Sequence, residues 1–153
     1  MSEWHSFGPL SVGGGWVVDE VLFRLLVDLE IQKAQRLRYS ISLVCFSADG
    51  NWPDNREAST QTLIESVTRG IRGTDVVTSG AAGGLHLLLV DAETTHLPLI
   101  LHRLTARLET LAWSAGGSCY PRTANRGEDM LRQAMDLMGR AREEGGNRLY
   151  VAS

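Results

Sequence analysis

Apolar residues recur at helical spacing in four segments of the chain. The four stripes comprise Val18, Leu22, Leu25 and Leu29; Leu63, Ile64, Val67 and Ile71; Leu97, Ile100, Leu101, Leu104 and Leu108; and Leu131, Ala134, Met135, Met138 and Ala141. Asp19, Ser59 or Thr60, and Thr94 or Thr95 stand where the first three helices need an N-terminal cap. The pattern therefore predicts four amphipathic helices.

Five short apolar runs alternate with these helices, as is typical of buried strands. They are "YSISLVCF" from Tyr39, "DVV" from Asp75, "LHLLLV" from Leu85, "TLAWSAGGSCY" from Thr110 and "NRLYVA" from Asn147. Only a short stretch rich in glycine and alanine separates the second run from the third, which predicts a β-hairpin at residues 75–90. The order α-β-α-β-β-α-β-α-β predicts an α/β domain in which helices flank a mixed sheet.

The chain before the first helix ends in the glycine run "SVGGGW", which favours a flexible lead at residues 1–16 and a domain at 17–153. A phosphate-cradling loop is the alternative interpretation of the glycines. That loop needs a Lys-Ser/Thr pair and a preceding strand, and neither is found here.

Composition narrows the classes of partner. A chain of 153 residues with a net charge of −3 is typical of one globular domain, and we expect no nucleic-acid partner. No apolar run approaches the roughly 18–20 residues of a membrane-spanning helix, so we expect no membrane insertion. The first residues lack the basic flank and apolar core of a signal peptide. Cys45 and Cys119 lack metal-binding spacing, so we expect free, buried thiols in a cytoplasmic protein.

Four segments carry a more specific pattern. "SISLVCFSAD", "IRGTDVV", "WSAGGSCYP" and "MLRQAMDLMGRAREEGGNRL" together resemble the GGDEF, or diguanylate cyclase, family over roughly residues 18–150. The last segment is the most specific, because it keeps Gly145, Asn147 and Arg148 at the right distance from Ala134 and Ala141. The resemblance implies a nucleotidyl-cyclase-like fold, with a mixed five-stranded sheet flanked by helices.

The resemblance also implies an activity, the joining of two GTP molecules into cyclic di-GMP with two metal ions. Magnesium requires hard oxygen ligands, and phosphoryl transfer requires its developing charge to be neutralised. Counted forward from Asp75, the paired carboxylates of the family signature fall on Gly83 and Gly84; a shifted register moves them to Leu85 and His86. Neither register supplies an oxygen ligand, so we expect no metal, no cofactor and no cyclase activity.

Other active-site positions of the family are altered too. The metal-binding aspartate at the end of the first strand is Ser47 here, although Asp49 follows two residues later. Asn55 stands where the family has a guanine-contacting asparagine, and the late phosphate-binding lysine is Arg142. A loop that contains Asp49, Asp54 and Asn55 is polar enough to admit a nucleotide without metal, which stays an open alternative.

A product-binding inhibitory site, Arg-x-x-Asp, precedes the signature in many members of the family. "RGTD" from Arg72 to Asp75 stands at that distance, and the resemblance places the second arginine of the site at Arg103. An arginine fork binds guanine O6 and N7 or a phosphate, and a carboxylate accepts from the guanine N1–H. The alternative is an exposed arginine at a helix end paired with a loop aspartate, which contributes little.

Three functional hypotheses follow. The first is a catalytically inactive domain that acts as a cyclic di-GMP receptor through Arg72, Asp75 and Arg103. The second is an inactive domain that serves as a protein-interaction or dimerisation module and binds no nucleotide. The third, an enzyme with altered chemistry in the same cleft, is disfavoured by the missing carboxylates. In every case a regulatory role requires a protein partner or a homodimer.

Overall fold

The computed structural model describes residues 10–11, 14–49, 56–80, 84–106, 108 and 112–153, with the side chains of all of these except 10–11, 49 and 56–60. The elements are, in chain order, β1 (Leu10–Ser11), β2 (Trp16–Val17), α1 (Glu20–Leu37), β3 (Ile41–Asp49), α2 (Arg56–Gly70), β4 (Val76–Ser79), β5 (Leu85–Val90), a 3-10 turn (Thr94–His96), α3 (Leu97–Thr105), β6 (Ala112–Tyr120), α4 (Gly127–Glu143) and β7 (Arg148–Val151).

The strands form one mixed sheet in the order β1-β2-β4-β5-β3-β6-β7. β4 and β5 form the predicted hairpin, β5 and β6 flank β3 in antiparallel orientation, and β7 runs parallel to β6. The predicted mixed sheet is confirmed with all five of its strands. In the described residues the sheet has seven strands rather than five, because β2 adds parallel to β4 and β1 pairs with β2.

The expectation of a flexible lead at 1–16 needs correction at its end, where the glycine run meets α2. Gly15 N donates to Thr68 O at 3.0 Å, and Trp16 N donates to Asp75 O at 2.9 Å. A Cβ atom on Gly14 would lie 2.0 Å from Thr68 O, so only glycine permits this approach. The glycines therefore bring the chain that leads into β2 against the end of α2.

The sheet separates two hydrophobic layers. β3 alternates between them, since Ile41, Leu43 and Cys45 belong to one cluster while Val44 and Phe46 belong to the other. Helices α2 and α3 cover the second of these faces, and α1 and α4 cover the first. The prediction that Cys45 and Cys119 are free, buried thiols is confirmed.

Helix α1 begins where its cap predicts, but it buries a different stripe. Asp19 accepts from Leu22 N at 2.8 Å, which confirms the N-terminal cap. The residues it buries fully are Phe23, Val27 and Ala34. Leu25 and Leu29, which the periodicity assigns to the core, are 54% and 45% exposed. None of the helices in the described ranges is long and apolar enough to cross a membrane.

Candidate functional site

The turn between α2 and β4 is organised by the carboxylate of Asp75. One oxygen accepts from Arg72 N at 2.9 Å, and the other accepts from Val90 N, also at 2.9 Å. The first bond closes the turn, and the second ties its end to the last residue of β5. Asp75 therefore fixes the base of the hairpin.

The Asp75 carboxylate is almost completely buried and is not exposed to a ligand in this structure. Its side chain is 3% exposed, and Arg72 Nε lies 3.7 Å from its oxygen. Burial raises the pKa of Asp75, while the hydrogen bonds from Val90 and Arg72 and the charge of Arg72 oppose that shift. In this structure a direct contact with a guanine would require the turn to open, because the carboxylate is buried and already accepts from two backbone donors.

Three arginines surround one pocket beside this turn. Arg69, Arg72 and Arg103 line a cavity of about 310 Å³ between the end of α2 and α3. The other lining residues are Ser66, Gly70, Ile71 and Leu104. Of the described residues, no acidic side chain lines it. We call these residues the arginine pocket.

Backbone carbonyls hold two of the three guanidinium groups. Arg103 Nη2 donates to Gly70 O at 2.9 Å, and Arg72 Nη2 donates to Val90 O. A guanidinium carries five N–H donors, so most of them remain available in each case. The side chain of Arg72 is 56% exposed. The pocket therefore presents positioned, solvent-facing donors, which is suited to an anionic ligand.

A second polar group of residues lies at the other end of the hairpin, on the sheet face that α1 covers. The hydroxyls of Ser47 and Thr78 and the Nδ1 atom of His86 are buried, and none of the three has a hydrogen-bond partner among the described residues. His86 pairs across the sheet with Thr78 on one side and Cys45 on the other. We call Ser47, Thr78 and His86 the hairpin-end cluster.

The His86 ring sits in a confined, largely apolar place. Phe23 of α1 lies with its ring centroid 6.1 Å from that of His86. A Cβ atom on Gly80 would lie 2.6 Å from His86 Nε2. Burial lowers the pKa of His86, an effect that Glu20 opposes and Arg24 reinforces. The ring is therefore neutral near pH 7.

Comparison with known proteins rests on structure. No family model and no curated protein sequence matches the chain. The GGDEF domain of YfiN (TpbB) from Pseudomonas aeruginosa superposes with a TM-score of 0.77 at 13% identity, over 88% of this chain and 96% of that one. The active GGEEF domain of a Vibrio cholerae diguanylate cyclase gives 0.73 at 13%, over 88% and 97%. The chain has the GGDEF fold.

A further similar structure contains a ligand. The GGDEF domain of DgcB from Caulobacter crescentus, in complex with c-di-GMP, has a TM-score of 0.71 at 12% identity, over 94% of this chain and 93% of that one. At such identities the likeness establishes the fold alone.

The described part of the signature end offers no carboxylate ligand for a divalent metal. Ser47 stands at the predicted metal-ligand position as a 2% exposed serine, and Gly84 has no side chain. The described residues hold no group of three or more His, Cys, Asp or Glu side chains that could bind a metal. Asn55, Gly83 and the side chain of Asp49 lie outside the described residues. The altered signature therefore stays a sequence-based argument at those positions.

The structure unites some of the predicted residues and separates others. Arg72 and Arg103, far apart in the sequence, line one pocket, whereas Arg142 lies in the last turn of α4 and does not line it. Sequence reasoning missed Arg69, although its position three residues before Arg72 puts both near the end of one helix. It considered His86 as a position of the shifted signature register, and no sequence signal marks that its Nδ1 atom has no partner among the described residues.

Proposed function

We propose that this chain is a catalytically inactive GGDEF-fold receptor that binds cyclic di-GMP through the arginine pocket. The observation that carries the proposal is the convergence of Arg69, Arg72 and Arg103 on one cavity with no acidic side chain in its described lining. Three positive charges, two of them held in place by backbone carbonyls, favour an anionic ligand. A cyclic dinucleotide supplies two phosphates and two guanine edges, and both kinds of group bind arginine forks.

The two anchored arginines have distinct roles in the proposal. Arg103 spans from α3 to the last carbonyl of α2 and lines the pocket, so its guanidinium is held beside the cavity with most of its N–H groups unused by that bond. Arg72 is held at the base of the hairpin by Val90 O and by its ion pair with Asp75. Both groups therefore lose little conformational freedom on binding, which favours affinity.

Asp75 acts in this proposal as a positioning residue. Its oxygens accept from the backbone of Arg72 and Val90, so it sets the place from which the Arg72 side chain emerges. This differs from the direct guanine contact expected from the sequence. The proposal therefore predicts that Asp75 affects ligand affinity through the turn and through folding stability together.

Loss of cyclase activity is the second part of the proposal. Its support is chemical. Counted forward from Asp75, the positions of the signature carboxylates hold Gly83 and Gly84, and the position of the strand-end aspartate holds Ser47. Magnesium at this site would lack its carboxylate ligands. Incubation with GTP and Mg²⁺, followed by chromatography of the nucleotides, is expected to yield no dinucleotide; formation of cyclic di-GMP would contradict this part.

Calorimetric titration of cyclic di-GMP into the purified chain tests the receptor role. We expect saturable binding by the unmodified protein. Substitution of Arg72 or Arg103 by alanine is expected to weaken it by about 10- to 100-fold, because each removes a charge-assisted hydrogen bond of about 1.5–3 kcal/mol. Arg69→Ala is expected to give a smaller loss, since no hydrogen bond or ion pair among the described residues holds that side chain in place.

Matched controls separate specific binding from attraction of any anion. Arg132→Ala removes an exposed arginine of α4 that pairs only with Asp129 in its own helix, and is expected to leave affinity unchanged. GTP and a linear guanine dinucleotide serve as competitor anions. Absence of heat with cyclic di-GMP, or equal affinity for all three nucleotides, would overturn the receptor proposal. It would leave the protein-interaction module as the remaining hypothesis.

A further inference from the structure

Helix α1 carries an apolar stripe on its outer side. Val21, Leu25 and Leu29 recur every fourth residue and are 81%, 54% and 45% exposed. They lie opposite the buried positions Phe23 and Val27, because successive helical residues are about 100° apart. Exposed leucines on one stripe differ from scattered surface apolar residues, which need no explanation. We call Val21, Leu25 and Leu29 the outer stripe.

The charges of α1 are divided between its two halves. Asp19, Glu20 and Asp28 give its first half an acidic excess over Arg24. Lys33, Arg36 and Arg38 give its second half a basic excess over Glu30. A second copy of the helix laid antiparallel brings each acidic half against a basic half. A parallel copy brings like charges together, which is unfavourable.

One antiparallel alignment satisfies both the apolar and the charged positions. With a two-fold axis level with Leu26, the outer-stripe residues of one copy fall between those of the other, about 3 Å apart along the axis. The same alignment sets Arg24 of each copy level with Asp28 of the other, on the same flank. Arg36 then lies within reach of the acidic first turn of the second copy.

We propose that the outer stripe is a homodimer interface, in which α1 packs antiparallel against α1 of a second copy of this chain. The α1 surface is complementary to a second copy of itself in the spacing of its apolar residues and in charge, as a two-fold interface requires. A single helix pair is at the small end of stable interfaces, so we expect a dissociation constant of roughly 10–100 µM. This proposal is independent of nucleotide binding, since the stripe and the arginine pocket share no residue.

Sedimentation velocity over protein concentrations from about 1 to about 500 µM tests the interface. We expect a monomer–dimer equilibrium in the unmodified chain. Leu25→Arg places two like charges, one from each copy, about 3 Å apart along the axis of the pair and is expected to raise the dissociation constant at least tenfold. Leu99→Arg, at a 75% exposed leucine of α3 on the other side of the sheet, is the control and is expected to dimerise normally. A monomer at every concentration would overturn the proposal.

Charge exchange tests the alignment. Asp28→Arg is expected to weaken dimerisation, because it sets an arginine against Arg24 of the opposite copy at both ends of the symmetric contact. Adding Arg24→Asp restores the pairing with its sign reversed, and the double variant is expected to recover most of the affinity. Failure of the second change to rescue the first would contradict the alignment.

Oxidative cross-linking separates antiparallel from parallel packing. Leu25→Cys is expected to form a disulfide-linked dimer, since the two residues lie about 3 Å apart along the axis. Val21→Cys is expected not to cross-link to itself, because the antiparallel alignment separates its two copies by about 15 Å. The native Cys45 and Cys119 are 0% and 1% exposed and do not interfere. Efficient cross-linking through Val21→Cys would indicate a parallel pair and overturn the proposal.

Discussion

The two ends of the β4–β5 hairpin differ in whether their buried polar groups are hydrogen-bonded. At its base, both oxygens of Asp75 accept from backbone donors and the neighbouring Arg72 is fixed with donors to spare. At the other end, Ser47 and His86 are equally buried, yet their polar atoms have no partner among the described residues. A buried polar atom stabilises the fold only when it is paired. The base therefore pairs its buried carboxylate, whereas the hairpin-end cluster leaves buried polar atoms unpaired among the described residues, which we expect to lower stability.

The largest expected effect lies at the base. Asp75→Ala removes the acceptor of both Arg72 N and Val90 N, and each unpaired buried donor costs about 1–3 kcal/mol. We expect the free energy of unfolding to fall by about 3 kcal/mol or more, measured by urea denaturation. Asp136→Ala, at an exposed position of α4, is the control and is expected to change stability by less than about 0.5 kcal/mol. A loss below about 1 kcal/mol for Asp75→Ala would remove the contrast between the two ends.

The next effect lies at the other end, where Gly80 borders His86. The added methyl of Gly80→Ala would lie 2.6 Å from His86 Nε2, and the ring has little room to move beside Phe23. We expect a loss of about 1–3 kcal/mol in the free energy of unfolding.

A double variant identifies the cause of that loss. Combining Gly80→Ala with His86→Ala is expected to make the two changes non-additive, because the first no longer clashes with a ring. Gly139→Ala, where no atom lies within 4 Å of the new methyl, is the matched control and is expected to stabilise its helix by about 0.5–1 kcal/mol. Simple additivity of the two hairpin changes would contradict a direct contact.

Much of the fold could be predicted from periodicity, because the residues that repeat are those that the sheet faces bury. Leu63, Ile64, Val67 and Ile71 were assigned to one stripe, and all four are buried. Periodicity does not predict the short strands β1 and β2, since each has only two residues, too few to show an alternating pattern.

Helix α1 shows why periodicity alone fails where two stripes overlap. Leu22, Leu25 and Leu29 form one apolar series and Phe23, Val27 and Ala34 form another, and both have helical spacing. Only the packing of α1 on the sheet decides which series is buried. The same limit applies to the sites: Arg72 and Arg103 could be named from a family pattern, whereas the inward aim of the Asp75 carboxylate depends on three-dimensional contacts.

A moderate, pH-dependent effect is expected for His86. Burial depresses its pKa in the folded state below the ordinary value of 6.5, so the unfolded chain binds the proton more readily. Stability is therefore complete above about pH 6.5 and falls as the pH decreases, by at most about 1.4 kcal/mol per pH unit. His86→Leu is expected to remove this pH dependence of the free energy of unfolding, measured by urea denaturation between about pH 5 and pH 8.

The control for this pH dependence is His102→Leu, at an exposed position of α3. It is expected to leave the pH profile of the unmodified protein intact. An unchanged profile in His86→Leu would show that His86 is not the group responsible, and that the hairpin-end cluster is solvated in a way that the base is not.

The smallest expected effect compares two serines of the same strand. Ser42 and Ser47 both lie on β3 at 0% and 2% exposure, but Ser42 Oγ donates to Ala92 O at 2.8 Å while Ser47 Oγ has no described partner. Ser42→Ala is expected to lower the free energy of unfolding by about 1 kcal/mol, whereas Ser47→Ala is expected to raise it by up to about 1 kcal/mol. Because the two changes remove the same atom from equally buried sites, opposite signs can arise only from the pairing of the hydroxyl. Equal losses in both variants would mean that Ser47 has a partner and that the hairpin-end cluster is as well satisfied as the base.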